Sequence, residues 1–189
     1  IGLPAPVIEN AIESARLDPY DPESRRAAAY AFYFDKQIDR FHQEAKIALE
    51  MSPFDADIIA SIAMVYGFLG DWDAGVALAR KANALDEYSA SGWYHAPLYY
   101  DHYLKGEYQA AVDIIVGHPN QNQTETIVKY VMAYGAMGDS ERALEYWQRC
   151  LEMEPDFSAP GWENILRIWN FREQDIESLM EGIYAAGIL

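Results

Sequence analysis

Pro19, Pro53 and Pro155 lie 34 and 102 residues apart, one and three multiples of 34, and the two intervening slots hold Glu87 and Gln121. Aromatic residues keep the same spacing, since Phe32, Tyr66, Tyr100 and Tyr134 are each 34 apart. A fixed period in this range specifies a solenoid, whose units cannot bury their apolar faces alone and must stack on neighbours. Such an architecture favours binding over catalysis.

Half of the 189 residues (51%) are hydrophobic, enough for a continuous core, and the net charge is −16 with a pI near 4.4. Duplex nucleic acid and anionic membranes are bound largely through Lys and Arg, so neither is an expected partner. The lone Cys150 forms no internal disulfide and no multi-cysteine zinc site. The longest apolar stretch, Ile58 to Leu69, is broken by Ser61 and Gly67 and is too short to span a bilayer. The chain opens on Ile without a basic leader. It reads as a piece of a longer protein, expected in the cytoplasm, or in the periplasm if a membrane segment precedes it.

Ending each unit two residues after its proline slot gives units at 22–55, 56–89, 90–123 and 124–157, each read as two amphipathic helices. The second unit runs from Ile58 to Leu69, turns at Gly70-Asp71, and continues from Trp72 to Leu85; the fourth repeats this with Gly138-Asp139. Gly fits the position after a helix and Asp caps the next one. Asp21-Pro22 is a cap and first-turn start. Residues 1–21 match only the second helix of a preceding unit. The third unit departs: its turn glycine, Gly106, falls 36 residues after Gly70 and 32 before Gly138, and Pro97 sits inside its first helix. There the proline must begin or kink the helix. The polar loop His118 to Gln123 shortens the second helix of that unit. Residues 158–189 read as a final, capping helix pair without a turn glycine, with Ile176, Leu179, Met180 and Ile183 in one apolar stripe.

These units resemble the tetratricopeptide repeat. In 124–157, Ala143, Trp147, Cys150 and Pro155 fall where that family places small, bulky aromatic, small and proline. In 56–89, Tyr66, Gly70-Asp71, Ala79 and Ala82 fit, while Gly75 replaces the usual Ala and Glu87 the usual Pro. The resemblance implies an all-α, right-handed superhelix that binds proteins. Three segments are similar to a narrower group: Phe68-Leu69-Gly70-Asp71-Trp72; Gly92 to Leu98 with Asp101-His102-Tyr103; and Glu181 to Ile188. They resemble the C-terminal repeat region of bacterial class III adenylate/guanylate cyclase-like and TolB-like proteins. The tail lacks the basic residue expected at Tyr184 or Ala185. No part of the chain resembles a cyclase catalytic domain, so the chain itself is expected to be no enzyme and to need no cofactor.

The first helices of such repeats line a concave groove. The expected peptide-binding positions are Arg26, Tyr30, Tyr33 and Phe34 in the first unit, Met64, Gly67 and Phe68 in the second, Tyr94, Leu98, Asp101 and His102 in the third, and Met132 in the fourth. Ala60, Val128, Gly135 and Ala136 share these spacings. Aromatic and Met side chains offer large contact area at low entropic cost, and Gly67 and Gly135 admit a close ligand backbone. The same positions equally suit packing between repeats, or a cover formed by the C-terminal helix of the chain itself. A Lys/Asn clamp for a peptide carboxylate is missing, because only Arg26 is basic at a groove position, with Arg25 and Lys129 one step off.

His95 and His102, seven apart with Asp101 beside them, invite a metal or base reading. Two helical turns separate them by about 10 Å, too far to share one ion, and no metal is expected. Cys150 sits in a small-residue packing slot and reads as a buried hydrophobe. Asn122-Gln123-Thr124 matches a glycosylation acceptor, relevant only to a eukaryotic secreted protein. The expected partner is therefore a protein, a peptide or an upstream domain of the same protein. Two further readings are an oligomerisation scaffold, in which the partial N-terminal unit or the apolar final helix stacks on a second chain, and a small-molecule sensor.

Overall fold

The computed structural model describes residues 3–86, 93–116 and 123–189. The slots at Glu87 and Gln121, Gly92, most of the polar loop from His118, and Asn122 of the acceptor triplet lie outside the described residues. Those described form eleven α-helices and one 3-10 turn, with no strand among them. The fold class is an all-α helical repeat. Two compact units divide the chain, Ile1–Glu87 and Tyr88–Leu189.

The first unit contains α1 (Ala5–Leu17), α2 (Pro22–Phe34), α3 (Ile38–Met51), α4 (Ala56–Phe68) and α5 (Trp72–Leu85). Aspartates start three of these helices, α2, α4 and α5. Asp21 accepts from the Glu23 and Ser24 amides (3.2 and 2.9 Å), Asp55 from Ile58 (3.0 Å) and Asp71 from Ala74 (3.2 Å). Each satisfies amide donors that an α-helix leaves open at its N-terminus. Small buried residues bring the helices of a pair together: Ala45, Ala48, Ala79 and Ala82 are fully buried. Ala48 and Ala82 are one period apart, and Cys150 fills the same slot two periods after Ala82, also fully buried. Phe32, Tyr33, Phe41, Ile58, Ile59 and Ile62 fill the space between pairs. Burying each such side chain contributes about 1.5–3 kcal/mol.

The turn between α4 and α5 closes through Gly70, with φ of +86° and the Asp71 amide bonded to the Tyr66 carbonyl at 2.9 Å. One period earlier the same left-handed position holds Lys36, with φ of +59°. A side chain at such an angle costs about 1–2 kcal/mol; glycine removes that cost, but its greater unfolded-state entropy cancels part of the gain. Lys36→Gly is therefore expected to stabilise the chain by roughly 0.5–1 kcal/mol, measured as an upward shift of the urea midpoint at unchanged slope.

The second unit contains the 3-10 turn Trp93–His95, α6 (Ala96–Leu104), α7 (Tyr108–Ile115), α8 (Thr124–Ala136), α9 (Ser140–Met153), α10 (Ala159–Ile168) and α11 (Glu173–Ala185). Pro97 stands in the first turn of α6, where its missing amide removes no helical bond, so it begins the helix instead of kinking it. This leaves α6 nine residues long, against thirteen for α8. Gly106 and Gly138 close the α6–α7 and α8–α9 turns, and Asn170 takes the left-handed position between α10 and α11 with φ of +54°. A side chain with local hydrogen-bonding capacity tolerates that angle best after glycine. Trp147, Phe157 and Trp162 form a chain of rings with centroids 5.2 and 6.3 Å apart, linking α9 to α10. The last helix does not simply follow α10 along the stack: α11 lies against α8 and α6.

Candidate functional site

In the first unit α2 and α4 lie side by side, tied by the Tyr30 hydroxyl, which donates to the Ser61 carbonyl at 2.8 Å. Burial pushes the Tyr30 phenol up to about 12, so it stays a donor at any physiological pH. Helical spacing puts Arg26, Tyr30 and Phe34 on one stripe of α2, and Met64 one turn beyond Ser61 on α4. All four side chains are partly exposed. Arg26 pairs with Glu23 at 2.6 Å and lies 5.7 Å from the Tyr30 ring centre. Phe34 meets Tyr30 and Tyr33 with ring centroids 6.4 and 5.1 Å apart. Together they form a shallow apolar face with one cation at its edge.

Tyr33 and Phe68, expected on that face, are buried below it and stack on each other at 6.4 Å. Their register explains this. One residue on a helix turns the side chain by about 100°, so Phe34 is partly open while Tyr33 is 1% exposed. Ala60 is buried with them. Gly67 is also buried, and it makes room for an internal neighbour instead of a ligand: a β-carbon there would strike the indole of Trp72.

The second unit uses its inner helices differently. The Tyr99 hydroxyl donates to the Lys129 carbonyl at 2.6 Å, joining α6 to α8 as Tyr30 joins α2 to α4. Tyr103, one turn on, is placed among the carbonyls of Met132, Ser178 and Leu179 at 3.4–3.5 Å, so it links α6, α8 and α11. Ile176, Leu179, Met180 and Ile183 are at most 2% exposed against these helices. At the crossing, Gly135 of α8 meets Gly182 of α11 backbone to backbone. A β-carbon on Gly135 would collide with the Gly182 carbonyl, and one on Gly182 with the Met132 carbonyl and the Tyr103 hydroxyl. The close backbone that Gly135 admits is therefore that of α11.

The groove positions of this unit are correspondingly closed. Met132 and Val128 are fully buried, and Tyr94, Leu98 and Asp101 are 2%, 9% and 7% exposed; Ala136 is partly exposed. His102 remains partly open and pairs through Nδ1 with Glu107 at 2.6 Å, while Asp101 pairs with Lys105 at 2.8 Å. Asp101 and His102 point to separate partners, and His95 belongs to the 3-10 turn before α6. Among the described residues no group of three His, Cys, Asp or Glu could hold a metal. Desolvation pushes the buried Cys150 thiol up to about 12, so it is not a nucleophile at neutral pH.

In the sequence Lys129 lies one step off the groove positions. It is buried in α8 with its ammonium 5.8 and 5.5 Å from the Tyr99 and Tyr100 ring centres. Burial lowers its pKa to about 8, against the opposing pull of Glu125. The two rings explain how a cation is tolerated there.

Residues 124–157 match the tetratricopeptide repeat family, over α8, α9 and the turn that follows. No curated protein matches the chain. No helix among the described residues is long and apolar enough to cross a membrane.

Proposed function

We propose that the chain is a non-catalytic protein-interaction module whose open face is the α2–α4 surface of the first unit, carried by Arg26, Tyr30, Phe34 and Met64. Tetratricopeptide repeats serve protein–protein interaction, and 124–157 match that family. The observation that carries the choice of face is the packing of α11 on α6 and α8. A helix from the same chain fills the inner-helix surface of the second unit, so that surface takes an apolar helix with a small residue at the crossing. Within the first unit the corresponding side chains stay partly exposed. The occupant proposed is a peptide or helix of a partner protein, or of an upstream domain of the same protein. The partition into units at 22–55, 56–89, 90–123 and 124–157, with a partial unit at 1–21 and a closing pair at 158–189, forms part of this reading.

The narrower reading is a C-terminal module of a bacterial adenylate cyclase-like signalling protein, working in the cytoplasm. It is supported by the resemblance of 68–72, 92–103 and 181–188, and any cyclase chemistry would belong to a separate catalytic domain. The oligomerisation reading loses one of its supports, because the apolar stripe of α11 is buried inside its own unit.

The test uses a peptide selected against the chain by phage display, with affinity measured by calorimetry. Phe34→Ala with Met64→Ala is expected to weaken binding by at least about tenfold, as loss of two central apolar contacts does. Unchanged affinity in that double variant, with helicity intact, would move the site away from α2–α4.

A further inference from the structure

The period that builds the helices also places a large apolar pair at the end of each second helix of the first unit. Leu17 ends α1 and Tyr20 follows it, at 69% and 86% exposure; Met51 ends α3 and Phe54 follows it, with Phe54 79% exposed. Leu85 at the end of α5 is 41% exposed, and its counterpart Tyr88 lies outside the described residues. Isolated exposed apolar residues are ordinary, but the same pair in the same slot of successive repeats makes a row along one edge. Phe54 sits between two helices, α3 and α4, so its exposure is no effect of a chain end.

The turns that carry the rings are ordered. Arg25 Nε donates to the Pro19 carbonyl at 3.1 Å, the Tyr20 amide to the Asp18 carboxylate at 3.3 Å, and the Asp55 amide to the Ser52 carbonyl at 3.3 Å. Every charged residue in 17–21 and 51–57 is acidic: Asp18, Asp21, Asp55 and Asp57. Arg25 is already engaged by Glu44 at 2.9 Å, and Arg16 by Glu13 at 2.6 Å. The edge therefore combines the exposed rings of Tyr20 and Phe54 with the neighbouring carboxylates of Asp18 and Asp55. Ring faces and carboxylates both attract a guanidinium, which is planar, weakly hydrated and stacks well. This chain already makes that contact internally: Arg40 lies 3.7 Å over the Phe32 ring and Arg142 4.2 Å over Tyr134.

We propose that the Tyr20–Phe54 edge docks an arginine-bearing segment of a partner protein, each ring stacking on one guanidinium with Asp18 and Asp55 supplying the opposing charge. Neighbouring packed helices lie about 8–10 Å apart, and three residues of extended chain span about 10 Å. The fitting pattern is thus arginine at every third position. This surface is distinct from the α2–α4 face, so either can fail without the other.

The probe is a fluorescein-labelled peptide, Arg-Gly-Ser-Arg-Gly-Ser-Arg, followed by anisotropy at constant ionic strength. The parent chain should bind it, and Tyr20→Ser with Phe54→Ser should raise Kd by about tenfold or more. Tyr20→Phe with Phe54→Tyr should restore binding, the lysine version of the peptide should bind more weakly, and Phe34→Ala with Met64→Ala should leave Kd within about twofold. No binding by the parent would overturn the proposal. So would equal binding by the serine double variant with its helicity intact, or equal affinity for the lysine peptide, which would reduce the attraction to net charge.

Discussion

Gly135→Val is expected to detach α11 from α8 and lower the stability of the second unit by at least about 3 kcal/mol. The β-carbon would collide with the Gly182 carbonyl, far inside van der Waals contact. Backbone inside a helix cannot yield as the end of a side chain can, so the two helices must separate. Separation exposes Ile176, Leu179, Met180 and Ile183, all now at most 2% exposed, and each is worth about 1.5–3 kcal/mol when buried. Hydrogen exchange reads this directly: amides of 173–185 should lose protection while those of α2–α5 keep theirs. Gly67→Ala is the control. Its β-carbon meets the Trp72 ring, a side chain that can shift, so the cost should be the smaller of the two. A Gly135→Val chain with full protection in α11 would show that the crossing is not fixed by the glycines.

Lys129→Met is expected to stabilise the chain by about 2–3 kcal/mol at pH 7. The ammonium is taken out of water with two ring faces and the Glu125 charge to offset part of the loss. Its pKa in the folded chain is about 8, below the ordinary lysine value of 10.5. Between those values the unfolded chain binds more protons than the folded one, so the stability of the parent should rise with pH from about 8. Above about pH 10 the trend reverses. Buried Tyr99 and Tyr100 are held protonated well above the usual tyrosine range by desolvation, whereas unfolded tyrosines ionise there. In Lys129→Met the rise between about pH 8 and 10 should vanish. Denaturant midpoints at pH 7 and 9.5 for the two chains decide the matter: parallel shifts would show that Lys129 keeps its charge at no cost.

Local signals in the sequence proved readable where they act locally. Asp21 and Asp71 cap, Gly70 and Gly138 turn, and Pro97 starts its helix, because each needs only a few neighbours to take its conformation. Faces are less legible. Tyr33 and Phe34 are adjacent letters of similar size, yet a step of about 100° buries one and leaves the other partly open. The covering of Met132 and Gly135 depends on a helix far along the chain, and no 34-residue period encodes where that helix returns. Gly182 carried the signal, as a second glycine on the apolar side of α11. Lys129 is polar in the sequence but flanked by Val128 and Tyr130, and only the approach of Tyr99 and Tyr100 shows why it can be buried.

The return of α11 also governs how each unit assembles. In the first unit the principal helix contacts run between nearest neighbours or the next helix but one. A chain of that kind forms by propagation, with short loops to close at each step. In the second unit Tyr103 reaches the Ser178 carbonyl across 75 residues. Closing that loop demands that α6 and α8 wait, with their apolar surface open, until α11 has formed. The second unit should therefore fold as one late, all-or-none event. A ribosome still holding residues 173–185 in its tunnel would be displaying an incomplete core to any chaperone nearby.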